Sequence, residues 1–377
     1  MDADRPVDLR APPGDVDGPC AAAAERDRGE RDLEPVRSPA GTRPRIAWLD
    51  IARGAAVALV VFGHVWRGLH EAGVLATGPL FESVDRAIYL FHMPLFFLLS
   101  GLVFPPMIRR APGAFLGGRA WRLLYPMALW TYLLIGLRLL APGGVNHPTS
   151  AGDLLRLPLP PFELFWFVWA LFLIQLAAYA VLRAAGRGGR VALAATGVMA
   201  AGAAIALFHG ADKNALAVWI APAMRNLPYF ALGVLCAAGA PRLGRIGRGG
   251  ALAGAAVVAL CIAIDQSMGP GPWARTLLAV SAACGFTALV AGLVGGLAEA
   301  EAEKGLAGRG LTVIGQGAMA VFLMHVVFAA ATRIALSAAG VENLAVHVTL
   351  GTVAGIAGPL AALVCARRLK LDRAAGF

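Results

Sequence analysis

Between residues 46 and 366 the chain carries ten predominantly apolar runs, most close to twenty residues long, separated by short polar loops. The hydrocarbon of a bilayer offers no water to backbone N–H and C=O groups, so a run of this kind is satisfied there as a helix. The runs fall at about 46–66, 87–104, 121–141, 163–183, 191–208, 215–238, 251–268, 274–297, 311–331 and 345–366. They predict an all-α, polytopic integral membrane protein with about ten transmembrane helices. Some runs are short or interrupted, and the sixth holds Pro222 and Pro228. Composition agrees: 58% of residues are hydrophobic and 15% charged, where a soluble domain carries about a quarter charged residues.

A net charge of +10 raises the possibility of a nucleic-acid partner. The distribution argues against it, because the basic residues sit in short loops between apolar runs. Eighteen Lys and Arg occupy one set of alternating loops and seven the other. The richer set includes Arg109, Arg110, Arg119 and Arg122; Arg183, Arg187 and Arg190; and Arg367, Arg368, Lys370 and Arg373. By the positive-inside rule this predicts both termini in the cytosol of a multi-pass plasma-membrane protein, as an even number of spans requires. Residues 1–45, rich in Asp, Glu, Arg, Pro and Ala, are expected to form a disordered cytosolic tail. They lack the apolar stretch of a signal peptide. Residues 46–366 form the membrane domain, and 367–377 a short basic cytosolic tail. The five cysteines are scattered without metal-ligand spacing; four lie in apolar runs, where buried free thiols are expected and neither a disulfide nor a metal site.

Ionisable residues inside the runs narrow the possibilities, since they are costly in a membrane unless paired or used. The first run, RIAWLDIARGAAVALVVFGHVW, places Arg53 and His64 eleven positions apart. That is about three helical turns, so the two share a face roughly 16 Å apart along the axis. Asp50 stands three positions before Arg53, where it can pair with the guanidinium. Counting from the expected helix ends puts His64, His92 and His325 at a similar level in the outer half of the bilayer, with Arg225 near mid-depth. Such a set either lines a polar cavity or consists of separately satisfied interhelical hydrogen bonds; the number of groups at one level favours the cavity. Arg119 and Arg122 form RAWR at the start of the third run, where paired guanidiniums suit phosphate groups, although arginines accumulate in such loops anyway.

These residues resemble the acyltransferase-3 family, integral membrane enzymes that move acyl groups from acyl-CoA to hydroxyls of sugars and other acceptors. Arg53 and His64 match the family's basic residue, ten positions, then histidine. FHMPLFFLLSG, with His92, Ser100 and Gly101, matches its second-span block, and Arg119 with Arg122 its Arg-x-x-Arg. WFVWALFLIQL from Trp166, RNLPYFALGVL from Arg225 and MAVFLMH ending at His325 look like later family segments in order. The resemblance covers about 46–366. It implies acyl transfer, with acetyl the common group, from acyl-CoA to a carbohydrate or glycosylated metabolite. His64 would serve as base or acyl carrier, with Arg53 and Asp50 in the catalytic set. Arg119 and Arg122 would hold the CoA phosphates, and His92, Ser100, Trp166, Arg225 and His325 would bind substrate. Acyl-CoA enters as a donor substrate; no resident cofactor or metal is implied. Some relatives carry a hydrolase-like domain after the last span; with Phe377 as the last residue, the membrane core is expected to act directly or with a separate protein. The competing reading is a transporter or exporter of a glycan or acylated metabolite, for which a broken helix and polar midplane are also suited. Binding of acyl-CoA discriminates the two.

Overall fold

A computed structural model describes residues 46–140, 150, 152, 158, 159, 165–208, 215–295 and 305–377, with backbone alone at 215–217. The tail expected over 1–45 lies outside the described residues, as do Arg156, Lys213 and Lys304. Every long element is a helix: α1 (Ala47–Glu71), α2 (Pro79–Leu102), α3 (Pro112–Arg119), α4 (Tyr125–Leu140), α5 (Trp166–Ala184), α6 (Gly189–Phe208), α7 (Ala215–Cys236), α8 (Gly247–Met268), α9 (Pro272–Gly295), α10 (Leu306–Gln316), α11 (Ala318–Ala338) and α12 (Leu344–Arg368). A π-helical turn over Ala120–Leu124 joins α3 to α4. Among the described residues eight helices are long and apolar enough to cross a membrane, counting Pro112–Leu140 as one. The protein is therefore a multi-pass membrane protein. The long helices α2 and α7 fall outside the eight; α2 carries Glu82, Asp85, Arg86 and His92, and α7 carries Arg225, Asn226 and two prolines.

Two of the helix boundaries that differ from the apolar runs move a histidine. The second helix starts at Pro79 rather than near 87, because proline suits the first helical position and Glu82 and Asp85 remain helical. His92 is thus its fourteenth residue, not about its fifth. The ninth run is divided at Gly317, which caps the end of α10 and the start of α11. His325 is consequently the eighth residue of α11. Of the four described cysteines, all free, only Cys261 is buried; Cys236, Cys284 and Cys365 are exposed on the bundle surface, contrary to the expectation of buried thiols.

Lipid tails are as apolar as leucine, so helices in a bilayer associate through close packing rather than through escape from water. The centre of this bundle is packed accordingly around Trp48, Phe97, Phe165 and Phe230, each at most 1% exposed. At the crossing of α2 and α7, a Cβ on Gly101 would fall on the Phe230 carbonyl and one on Gly233 on the Leu98 carbonyl. At the crossing of α1 and α10, Gly54 meets the Leu311 carbonyl and Gly315 the Asp50 carbonyl in the same way.

Loop contacts define two ends. At one, Tyr179 and Arg183 donate to the Arg110 carbonyl, Trp48 to the Ala240 carbonyl, and Tyr125 to the Ala374 carbonyl. This end carries the arginine-rich loops. At the other, Trp66 donates to the Phe81 carbonyl and Gln266 to the Ser83 carbonyl.

Candidate active site

Two cavities lie toward the end away from the arginine-rich loops. The first, of about 640 Å³, is lined by the last turns of α1 and α4, the middle of α2 and α11, and the starts of α5 and α12. His64, His92, Trp166 and His347 line it, together with Arg67, Glu71, Arg138 and Arg333. The surrounding wall is mainly leucine, valine and alanine, which keeps the few polar groups in an apolar setting.

The helix itself orients the histidines. His64 Nδ1 is 2.9 Å from the Val60 carbonyl, and His92 Nδ1 is 2.8 Å from the Ile88 carbonyl, each four residues back. His325 Nδ1 is 3.0 Å from the Val321 carbonyl and 2.9 Å from that of Phe322. A carbonyl only accepts, so Nδ1 carries the proton in each ring and Nε2 of the neutral imidazole is the acceptor. The His64 and His325 rings meet edge to face with centroids 4.9 Å apart. His325 is fully buried, does not line the cavity, and its Nε2 has no hydrogen-bond partner. It stands behind His64.

A second chain of contacts holds His92. Asp85 accepts from Arg67 Nε at 2.6 Å and Nη2 at 2.9 Å, a two-point pairing that fixes the guanidinium plane. The Arg67 Cζ lies 3.2 Å from the centre of the Tyr89 ring. Tyr89 in turn stands edge-on to His92 at 4.5 Å. Arg67, Asp85 and Tyr89 were not singled out by sequence, nor was His347, whose Nε2 donates to the Val341 carbonyl at 2.7 Å. The one available signal was the i, i+18 placement of opposite charges across a short loop, which does not by itself predict a pair.

The remaining expected site residues distribute elsewhere. Arg53 pairs with Asp50 at 3.5 Å in the early turns of α1, beside α10, and neither lines the two cavities. A π-turn starts between Arg119 and Arg122. Arg119 turns inward, with Nη1 3.4 Å from Gln175 Oε1 and a buried Nη2 that has no hydrogen-bond partner; Arg122 is exposed. Ser100 lies about two turns from His92, outside both cavities and beside the Gly101 crossing. Arg225 does not line the histidine cavity. It lines the second cavity, of about 720 Å³, with Arg275, Asn226 and Tyr229. Trp166 lines both. Among the described residues no group of three His, Cys, Asp or Glu side chains is arranged to hold a metal ion.

A family model described as an acyltransferase domain, that of acyltransferase-3, matches residues 46–364. The nodulation protein NolL of Mesorhizobium japonicum is 36% identical over 140 residues, 36% of this chain and 35% of that protein. NolL of Sinorhizobium fredii is 32% identical over 134 residues, 35% of each chain. This chain thus spans about a third of the length of these relatives. No solved structure is significantly similar to it. The family match runs through every helix named above as far as α12 and takes in all the site residues discussed: the chain belongs to the acyltransferase-3 family.

Proposed function

We propose that the protein transfers an acyl group, in the first instance acetyl, from acyl-CoA to a hydroxyl of a carbohydrate or glycosylated acceptor. The observation carrying this reading is the His64 ring, which lines a largely apolar cavity with Nδ1 held by its own helix and Nε2 as its acceptor. His64 Nε2 takes the proton of the acceptor hydroxyl as the oxygen attacks the thioester carbonyl. The tetrahedral intermediate then collapses, the C–S bond breaks, and the imidazolium returns the proton to the CoA sulfur. A route through an acyl-histidine uses the same nitrogen as nucleophile. His92, supported by Tyr89, Arg67 and Asp85, contributes to charge stabilisation at the developing oxyanion.

The donor enters from the arginine-rich end. Arg119, with a buried guanidinium nitrogen lacking a hydrogen-bond partner, holds CoA phosphate, and Arg53 guides the pantetheine arm along α1. His64 lies about 16 Å beyond Arg53 by helical rise, within reach of extended pantetheine. In this reading α2 and α7 also cross, making ten spans in the plasma membrane, with both termini and the arginine-rich end in the cytosol. The acceptor then meets the acyl group from outside.

The test supplies radiolabelled acetyl-CoA and an extract of the native cells to membranes containing the protein, and compares wild type with His64→Ala. Label transferred by wild type and lost in the variant is expected, with acetyl-CoA still bound by both. Equal incorporation by both would remove His64 from the chemistry. Absence of acetyl-CoA binding by wild type would instead favour transport of a glycan or acylated metabolite.

A further inference from the structure

The second cavity concentrates positive charge. Its charged lining residues are Arg225 and Arg275, and Asn226, Tyr229 and Thr276 supply further polar groups. Asp265 is the nearby counter-charge: it is 1% exposed, with Oδ1 3.3 Å from Arg275 Nε and Oδ2 3.2 Å from Arg86 Nη2. Arg86 also donates to the Asp265 backbone carbonyl. One carboxylate therefore serves two guanidiniums already, and Arg225 makes a third. Arg225 reaches the Phe208 carbonyl with Nη2 at 3.1 Å, one of the five N–H donors a guanidinium offers. Both arginines are exposed, so an anionic group entering the cavity can reach their guanidiniums.

The position of this surplus matters. Tyr89, Met93 and Trp166 line both cavities, so a molecule in the second abuts the histidine cavity across three side chains. We infer that the second cavity binds a carboxylate or phosphate group of the acceptor at Arg225 and Arg275, leaving the acceptor's hydroxyl directed past Trp166 and Met93 toward His64. Guanidiniums recognise both groups through paired N–H donors. The role as acceptor rests on the acyl-transfer reading, whereas the anion site itself stands without it.

The test uses the full chain in detergent with its cysteines replaced by alanine and one thiol introduced by Thr276→Cys. Labelling rates are measured with anionic, cationic and neutral thiosulfonates, each relative to a small thiol in solution. A positively charged cavity raises the relative anionic rate about tenfold over the cationic one. Arg225→Gln is expected to remove most of that preference, Arg225→Lys to keep it, and the neutral reagent to react alike in all three, which monitors folding. Methyl glucuronide and glucose 6-phosphate should slow labelling, methyl glucoside should not, and the stronger of the two anions identifies carboxylate or phosphate as the group bound. No charge preference, an unchanged preference in Arg225→Gln, or equal protection by the neutral glycoside would overturn the site. Anion protection in a protein that transfers no acyl group would overturn the acyltransferase reading and leave the site standing. Transfer without anion preference would do the reverse.

Discussion

The histidine cavity and the arginine-rich end solve the same problem, polar groups inside an apolar bundle, in opposite ways. At the cavity Nδ1 of His64 and of His92 is held by the carbonyl four residues back on its own helix. Such a group is placed in advance and presents one acceptor nitrogen, as proton transfer requires. At the other end Arg119 cannot be neutralised by its helix; it faces a neutral amide, Gln175, and keeps a buried nitrogen without a hydrogen-bond partner. Charge left unmatched there favours a charged ligand. On the acyl-transfer proposal this contrast would separate chemistry from donor binding, and kinetics should separate them as well.

The largest expected effect is at the cavity. His64→Ala should lower turnover by about 10²–10⁴, the range for losing a general base, while acetyl-CoA binding measured directly stays within about twofold. A parallel loss of binding would join the two ends into one site and break the comparison. At the arginine end the pattern should invert. Arg119→Ala removes charge-assisted hydrogen bonds and should raise KM for acetyl-CoA about ten- to thirtyfold with little change in kcat. Exposed Arg122 should matter less, about threefold, and equal effects would restore the paired-arginine expectation.

A smaller effect sharpens the cavity side. Asp85→Asn loosens the two-point grip on Arg67, and through Tyr89 the setting of His92. We expect kcat to fall about fivefold with KM for acetyl-CoA unmoved. Because Arg67 and Asp85 are partly exposed, the pair contributes little to stability. A lowered melting temperature with unchanged kcat would assign it to structure instead.

How much of this was legible in sequence follows from what each feature depends on. Helix existence depends on local apolarity, so all ten runs correspond to helices, with boundaries misjudged where Pro79 and Gly317 impose their own geometry. His64 and His92 share one cavity, although the count that placed them at one level started the second helix eight residues late. His325 was brought to His64 as expected, but behind it rather than into the cavity. Arg225 was misplaced because depth along a helix says nothing of which neighbour the side chain faces. The π-turn that begins between Arg119 and Arg122 leaves no mark in residue spacing. Arg67 with Asp85, and the Asp265 cluster, depend on tertiary approach and were invisible.

The smallest expected effect concerns Ser100, and it tests whether a motif position belongs to either end. Ser100 lies on α2 about two turns beyond His92, roughly 12 Å along the axis, and it lines neither described cavity. Its neighbour Gly101 sits where the backbone of α7 passes too close for any Cβ, with Gly233 in the reciprocal position. In that light the Ser-Gly end of the second-span block serves helix packing, in which a small side chain beside the contact is tolerated and a larger one is not. Ser100→Ala should therefore leave kcat, KM and melting temperature within about twofold and a degree or two of wild type. Gly101→Val should instead reduce the yield of folded protein, since relieving an overpacked contact costs about 1–3 kcal/mol or more when backbone must move. A kcat loss in Ser100→Ala at unchanged melting temperature would carry the chemistry two turns deeper along α2, toward the arginine end, and dissolve the division between the two.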